Sequence, residues 1–154
     1  MLEAIKNFPK QLEYEPVVKN ADKLKHCKKF IVVGMGGSHL AADLLKIYDP
    51  KLNLIIHSDY GLPFISENVL SETLVIAVSY SGNTEETIDG FNTALSKNIP
   101  LAVVSTGGKL LKLAEENKIP YIQIPDTGIP PRNAVGFQLK ALLKIIGDEN
   151  GLSE

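Results

Sequence analysis

TLVIAVSYSGNTEETIDGFNTALS, residues 73–96, decides the fold of this 154-residue chain. Thr73 to Val78 is a continuous apolar run rich in β-branched residues, the pattern of a strand buried on both faces. Such a strand belongs in a parallel sheet, whose neighbours are reached through helical crossovers. Ser79-Tyr80-Ser81-Gly82-Asn83 then supplies a turn, and Thr84 to Ser96 reads as the crossover helix.

The same alternation extends in both directions. Upstream, Phe30 to Val33 is a short apolar run that leaves through Gly34-Met35-Gly36-Gly37 into a helix over Ser38–Ile47, with Leu40, Ala41, Leu44, Leu45 and Ile47 at helical spacing. Leu52 to Ile56 is a second strand, followed by a loop from His57 to Pro63. Downstream come a strand over Ile99–Ser105, a helix over Leu110–Glu116 and a short strand at Tyr121–Ile124. The Pro- and Gly-rich stretch Pro125–Pro131 leads to a last helix from about Arg132 to Ile146. Leu2, Ile5, Phe8, Leu12 and Val17 predict an amphipathic opening helix, broken near Pro9 or Pro16.

Five strands joined by right-handed crossovers predict an α/β fold: a three-layer αβα sandwich around a doubly wound five-stranded parallel sheet. The expected strand order is the flavodoxin-like 2-1-3-4-5. One domain is expected over residues 1–154, with an N-terminal helical segment at 1–25 and the α/β core at 29–147. The last helix is apolar around most of its circumference, with Gln138, Lys140 and Lys144 as its main polar residues. Either it is central to this domain or a second copy or missing domain covers it.

Composition narrows the function. With 44% hydrophobic and 22% charged residues the chain is globular, and no apolar run reaches the roughly 20 residues of a membrane span. Glu3 and Lys6 interrupt any signal-peptide core, and Cys27 is the only cysteine, so a cytoplasmic location is expected. The basic cluster Lys23, Lys25, His26, Lys28 and Lys29 has no interleaved aromatic residues for base stacking and reads as a solvated surface rather than a nucleic-acid site.

In a doubly wound sheet, ligands bind where strand order reverses, which here lies between the exits of the first and third strands. Those exits are GMGGS at 34–38 and SYSGNT at 79–84. Ser79, Ser81 and Thr84 place three hydroxyls around the turn allowed by Gly82, directly before a helix N-terminus. Neutral donors, free amides and the positive end of a helix dipole together suit a phosphate monoester. Ordinary capping competes, with Asn83 as N-cap and Glu86 three residues later as a capping box, yet it assigns Ser79 and Ser81 no task.

GMGGS is not a dinucleotide fingerprint, because His39 stands where its third glycine belongs; GGKL at 107–110 is not a Walker loop, because Val103 and Leu110 occupy its required positions. The three histidines and Cys27 lack metal-ligand spacing, and His39, although beside the crevice, has no evident partner. Arg132, the one arginine against fifteen lysines, follows the last strand in IPPRNAVG and suits a phosphate or a developing oxyanion.

Taken in order, the opening helix with Phe8-Pro9-Lys10-Gln11, GMGGSHLAADLL at 34–45, SYSGNTEET at 79–87 and PPRNAVGFQLKALL at 130–143 resemble the sugar isomerase (SIS) domain family, nearest to the N-terminal half of bifunctional phosphoglucose/phosphomannose isomerases. The resemblance implies that Ser79, Ser81 and Thr84 hold the phosphate of a sugar, that Gly36, Gly37 and Ser38 approach the substrate, and that Arg132 stabilises a cis-enediolate. It implies neither a metal nor a nucleotide cofactor. In that family a second SIS-like half supplies a glutamate base, a histidine for ring opening and a lysine. This sequence ends at Gly151-Leu152-Ser153-Glu154 without them, so binding with little or no turnover is expected of it alone. A stand-alone phosphosugar-binding module is the alternative. A flavin site is a weaker one, since that phosphate loop normally follows the first strand and only Tyr48, Tyr60 and Tyr80 lie near strand exits.

Overall fold

A computed structural model describes residues 2–153. Five parallel strands form one sheet: β1 (Lys29–Val33), β2 (Asn53–His57), β3 (Thr73–Ser79), β4 (Leu101–Ser105) and β5 (Tyr121–Gln123). Their order is β2-β1-β3-β4-β5, as expected from the crossovers. The register pairs Val33 with Ala77 and Ser79 with Ser105, so the exits of β1, β3 and β4 open on the same edge.

Alternation along the strands builds a core on each face. Phe30, Val32, Leu74, Ile76, Ala102 and Val104 point toward α2 (Leu40–Tyr48) and α6 (Val135–Ile146). Ile31, Val33, Val75, Ala77, Leu101 and Val103 point toward α3 (Glu67–Leu70), α4 (Glu85–Ser96) and α5 (Gly108–Glu116). Every residue of β3 is buried, which is why residues 74–78 are apolar without interruption.

The ends of the chain depart from the sequence reading in detail. α1 (Leu2–Gln11) is not broken at Pro9; it runs through that residue and stops two residues later. Pro9 lies near the C-terminal end, where a missing N–H costs one ladder bond and no further turn depends on it. Beyond α1 the chain follows the outer edge of β5, where Lys19 and Tyr121 exchange backbone hydrogen bonds of 2.8 and 3.1 Å. A five-residue α7 (Glu149–Ser153), not foreseen from the sequence, closes the described chain.

α6 has Ala141 and Leu142 fully buried against α2 and the sheet, with α1 and α7 along its flanks, so it is a central helix of this fold. The unpartnered apolar surface lies instead on α1 and α2. Leu2, Ile5, Phe8, Leu44 and Ile47 are exposed there. Leu12, Leu44, Ile47, Leu139 and Leu143 line an apolar groove of about 370 Å³. Among the described residues, no helix is long and apolar enough to cross a membrane.

Candidate functional site

The loop that leaves β3 is built around a buried hydroxyl. Ser79 is fully buried, and its Oγ accepts the Gly82 N–H at 3.0 Å while lying 2.9 Å from Thr84 Oγ1. Exposed Ser81 accepts the Asn83 N–H at 3.2 Å. A hydroxyl carries one proton and two lone pairs, so these contacts leave the Ser81 proton free, together with one of the two protons shared between Ser79 and Thr84. The first intrahelical bond of α4 runs from Ile88 N–H to Thr84 O, so the amides of Glu85, Glu86 and Thr87 lie ahead of the helical ladder. The loop thus presents hydroxyl donors and helix-terminal N–H groups together, an arrangement that accepts an anion without a lysine.

The expected capping box does not form. No side chain caps α4, whose N-cap residue is Thr84. Asn83 turns away from α4, and its Oδ1 accepts the Lys109 N–H of α5 at 3.0 Å. The turn at Gly82 (φ +76°) carries the Asn83 side chain across to the neighbouring helix, leaving the α4 terminus without a protein acceptor. Glu85 instead accepts the Tyr60 hydroxyl at 3.3 Å.

Three other loops converge on this one. From β1, the Ser38 Oγ accepts the Tyr80 N–H at 3.1 Å, tying the GMGGS turn to the exit of β3. Gly37 lies against the turn containing Arg132, where an added Cβ would fall 2.6 Å from the Arg132 backbone nitrogen. Gly36 has a positive φ of 54° and open space around it. From β4, Gly107 presses on Gly82 so closely that a Cβ on Gly82 would sit 1.8 Å from the Gly107 carbonyl oxygen. The Thr106 hydroxyl donates to the Tyr80 carbonyl.

The sequence reading assigned 105–108 no part, having tested GGKL only as a nucleotide loop. Its signal was the glycine pair itself: Gly108 adopts φ +70°, and a Cβ there would meet the Ser81 carbonyl at 2.4 Å. Arg132 is exposed and occupies a 3₁₀ turn over Pro131–Asn133, while α6 starts only at Val135. The sequence placed Arg132 at the start of the helix itself; the 3₁₀ turn that follows Pro130 sets it three residues earlier.

Both histidines near the strand exits have identifiable partners. His39 Nδ1 lies 2.7 Å from Asp43 Oδ2, one turn along α2, which supplies the partner the sequence did not show. His57 Nε2 lies 3.0 Å from the Tyr60 carbonyl. Burial and then the nearby Asp126 carboxylate raise the pKa of the Tyr80 phenol, whose hydroxyl donates to Asp126 at 3.3 Å. Burial also raises the Cys27 thiol, with Lys25 opposing, so this thiol is not activated. Among the described residues, no group of three or more His, Cys, Asp or Glu side chains is placed to hold a metal ion.

The fold is shared with solved structures that include a sugar isomerase (SIS) domain. The sugar isomerase domain of an RpiR transcription factor from Sphaerobacter thermophilus superposes with a TM-score of 0.59 at 15% identity, covering 99% of this chain and 90% of that one. Tagatose-6-phosphate ketose/aldose isomerase from Escherichia coli gives 0.51 at 15% identity, over 96% of this chain and 41% of that one. The Vibrio vulnificus NanR protein complexed with ManNAc-6P gives 0.55 at 16% identity, over 94% and 59%.

In sequence the chain is a homologue of the bifunctional phosphoglucose/phosphomannose isomerases. It is 37% identical to the enzyme of Caldicellulosiruptor bescii over an alignment of 153 positions that covers 94% of this chain and 44% of that protein. The Aquifex aeolicus enzyme is 32% identical over 148 residues, again 44% of its length. D-glucosamine-6-phosphate 4-epimerase of Sulfolobus acidocaldarius is 29% identical, with 92% of this chain and 45% of that protein covered. The chain therefore spans a little under half the length of these relatives. No protein-family model matches it.

Proposed function

We propose that the chain binds a sugar phosphate and forms the N-terminal, phosphate-binding part of an aldose–ketose isomerase that converts glucose 6-phosphate or mannose 6-phosphate to fructose 6-phosphate. The observation that carries this reading is the loop from Ser79 to Thr84. That loop carries spare hydroxyl protons and an uncapped helix terminus, and it is tied through the Tyr80 N–H to Ser38, in the turn whose Gly37 packs against the Arg132 backbone. In this reading the phosphate sits on Ser79, Ser81 and Thr84, and residues 1–154 act as one binding unit. The backbone of Gly36 and Gly37 admits the sugar. Arg132, which makes no ion pair among the described residues, stabilises the cis-enediolate oxygen as a proton passes between C1 and C2.

That transfer requires a base placed at the C2 proton. Glu85 accepts from Tyr60, and Glu86 stands beside it in the first turn of α4, the end at which this reading seats the phosphate. The base in this reading comes from outside this chain, either a second SIS-like half or another copy. The exposed apolar surface of α1 and α2 offers such a partner a place to dock. The reading requires no metal or cofactor and places the protein in the cytoplasm.

A second reading is a binding module without catalysis. The likeness to the sugar isomerase domain of an RpiR transcription factor favours it, since the same fold there belongs to a transcription factor. An isomerase assay on the chain, alone and mixed with the C-terminal portion of a homologous isomerase, separates the two. Activity only in the mixture supports the first reading, binding without activity in either supports the second, and robust activity from the chain alone refutes the placement of the base. In a thermal-shift titration, fructose 6-phosphate at a hundred times its Kd stabilises a binder by about 2.7 kcal/mol. No shift with any hexose phosphate would sink both readings.

A further inference from the structure

Two glutamines that the phosphate site does not use are buried beside Arg132. Gln11, the last residue of α1, is 3% exposed, and Gln138 in α6 is fully buried. A primary amide brings two N–H donors and a carbonyl acceptor, so burying one is costly unless its groups find partners. Gln11 finds them across the fold. Its Nε2 donates to the Asn133 carbonyl at 2.8 Å, and its Oε1 accepts the Gly136 N–H at 3.0 Å and the Phe137 N–H at 3.4 Å. Gln138 Nε2 donates to the Pro131 carbonyl at 3.2 Å. The carbonyls immediately before and after Arg132 are thus each held by a buried glutamine, from two different helices.

Several features indicate a selected arrangement rather than incidental packing. Gln11 is the one buried residue of α1, whose apolar side chains Leu2, Ile5 and Phe8 face solvent. The helix is therefore anchored at this end by an amide directed at the Arg132 turn. Ala134, the N-cap of α6, offers no side-chain acceptor, and Gln11 takes that role from 125 residues away. Gly136 makes room for it, because a Cβ there would fall 2.6 Å from the Gln11 Cβ. The Gln138 amide is held by its one bond to Pro131, since exchanging its oxygen and nitrogen would set two carbonyl oxygens face to face there; its Oε1 is buried without a partner among the described residues.

We propose that Gln11 and Gln138 are positioning residues for Arg132, clamping its turn from both sides so that α1 sets where the guanidinium stands at the sugar end of the cleft. The consequence for ligand binding rests on the sugar-phosphate reading above; the clamp on the turn does not.

The experiment uses the whole chain. Arg132 is its only arginine, so the guanidinium gives a single Nε–Hε signal by NMR. Gln11→Met and Gln138→Met keep length and volume while removing the hydrogen bonds. In each variant the Arg132 Nε–Hε and backbone amide signals are expected to shift or broaden, while the amides of Ser79–Thr84 hold their positions. Fructose 6-phosphate affinity falls about tenfold, comparable to Arg132→Ala, as expected for misplacing one charged hydrogen-bond donor. The double variant Gln11→Met with Arg132→Ala binds no more weakly than Arg132→Ala alone, since the two losses are one interaction. Inorganic phosphate, expected on the Ser79–Thr84 loop, retains its affinity.

Unmoved Arg132 signals in both variants would overturn the proposal, as would fully additive losses in the double variant. Should Gln11→Met fail to fold, Gln11→Glu keeps the acceptor for Gly136 and Phe137 and loses the donor to Asn133. The Arg132 signals must then move with the melting temperature near wild type, and their failure to move counts against the clamp. A wild-type chain that binds no fructose 6-phosphate removes the sugar-phosphate reading, while the NMR signals still decide the clamp by themselves.

Discussion

The exits of β3 and β4 begin alike and end differently. Ser79 and Ser105 are register partners, both fully buried, and each Oγ accepts an N–H from its own loop, from Gly82 at 3.0 Å and from Gly107 at 3.2 Å. Ser105 then donates its proton to the Gly107 carbonyl at 2.8 Å, which closes the β4 loop on itself. Ser79 instead meets another hydroxyl, Thr84, so one proton of that pair is left over. The helix termini differ in the same sense. The N-terminus of α5 is capped by Asn83 from the other loop, whereas that of α4 receives no side chain. Similar residues therefore yield a support in one loop and a vacant donor set in the next. The difference appears only when every hydroxyl proton and terminal amide is assigned an acceptor.

The largest expected effect tests whether the two loops are one unit. Gly82→Ala combines a left-handed backbone with a Cβ 1.8 Å from the Gly107 oxygen, so unfolding titrations should show a loss of about 3 kcal/mol or more. Gly36→Ala shares the positive φ but meets nothing within 4 Å and should lose only about 1 kcal/mol. Equal losses at the two glycines would mean that the loops do not brace each other.

Next, Ser79→Ala and Ser105→Ala separate ligand binding from support. Each leaves a loop amide without its acceptor and should cost about 1–3 kcal/mol of stability. Calorimetric titration should show fructose 6-phosphate affinity falling about tenfold or more for Ser79→Ala, roughly one charged hydrogen bond, and staying within about threefold for Ser105→Ala. The reverse order would exchange the roles assigned to the two loops.

Asn83→Ala should cost about 1 kcal/mol as the loss of a helix cap. Hydrogen exchange should speed up at the start of α5 and leave α4 unchanged. Faster exchange in α4 instead would restore the capping box suggested by the sequence.

The smallest effect concerns alkaline pH. The folded pKa of Tyr80 lies above its ordinary value near 10, so as pH rises past 10 the unfolded chain loses this proton first and folding weakens. Stability attached to this group is complete below pH 10 and is lost as pH climbs through the folded value. Tyr80→Phe should therefore make the decline of melting temperature above pH 10 shallower, and an unchanged slope would contradict the assignment.

Much of this was legible in the sequence for a physical reason. β3 is buried on both faces, so its run of apolar residues announces a central parallel strand, and the observed order 2-1-3-4-5 is the flavodoxin-like arrangement expected for five such strands. The SYSGNT loop was legible because hydroxyls, glycine and a helix start fall within a few consecutive residues. What escaped depends on contacts distant in sequence. Asn83 was assigned to α4 because Glu86 stands at capping-box spacing, yet Gly82 turns the side chain toward α5. His39 is the exception, since Asp43 stands only four residues along, a pair that the helix expected over Ser38–Ile47 already allowed. The Gly107–Gly108 pair matches no nucleotide-binding motif, and nothing local in the sequence shows that Gly82 lies against it. Gln11 was noted only within the Phe8-Pro9-Lys10-Gln11 resemblance, because its partners lie more than 120 residues away.

The most direct test of the central claim is amide NMR of the whole chain titrated with fructose 6-phosphate. Saturable shifts are predicted to be largest at the amides of residues 81–87, with accompanying movement at Gly37, Ser38 and Arg132 and smaller changes across 105–109. Shifts centred on 105–109, or a titration to millimolar ligand that moves none of these amides, would contradict it.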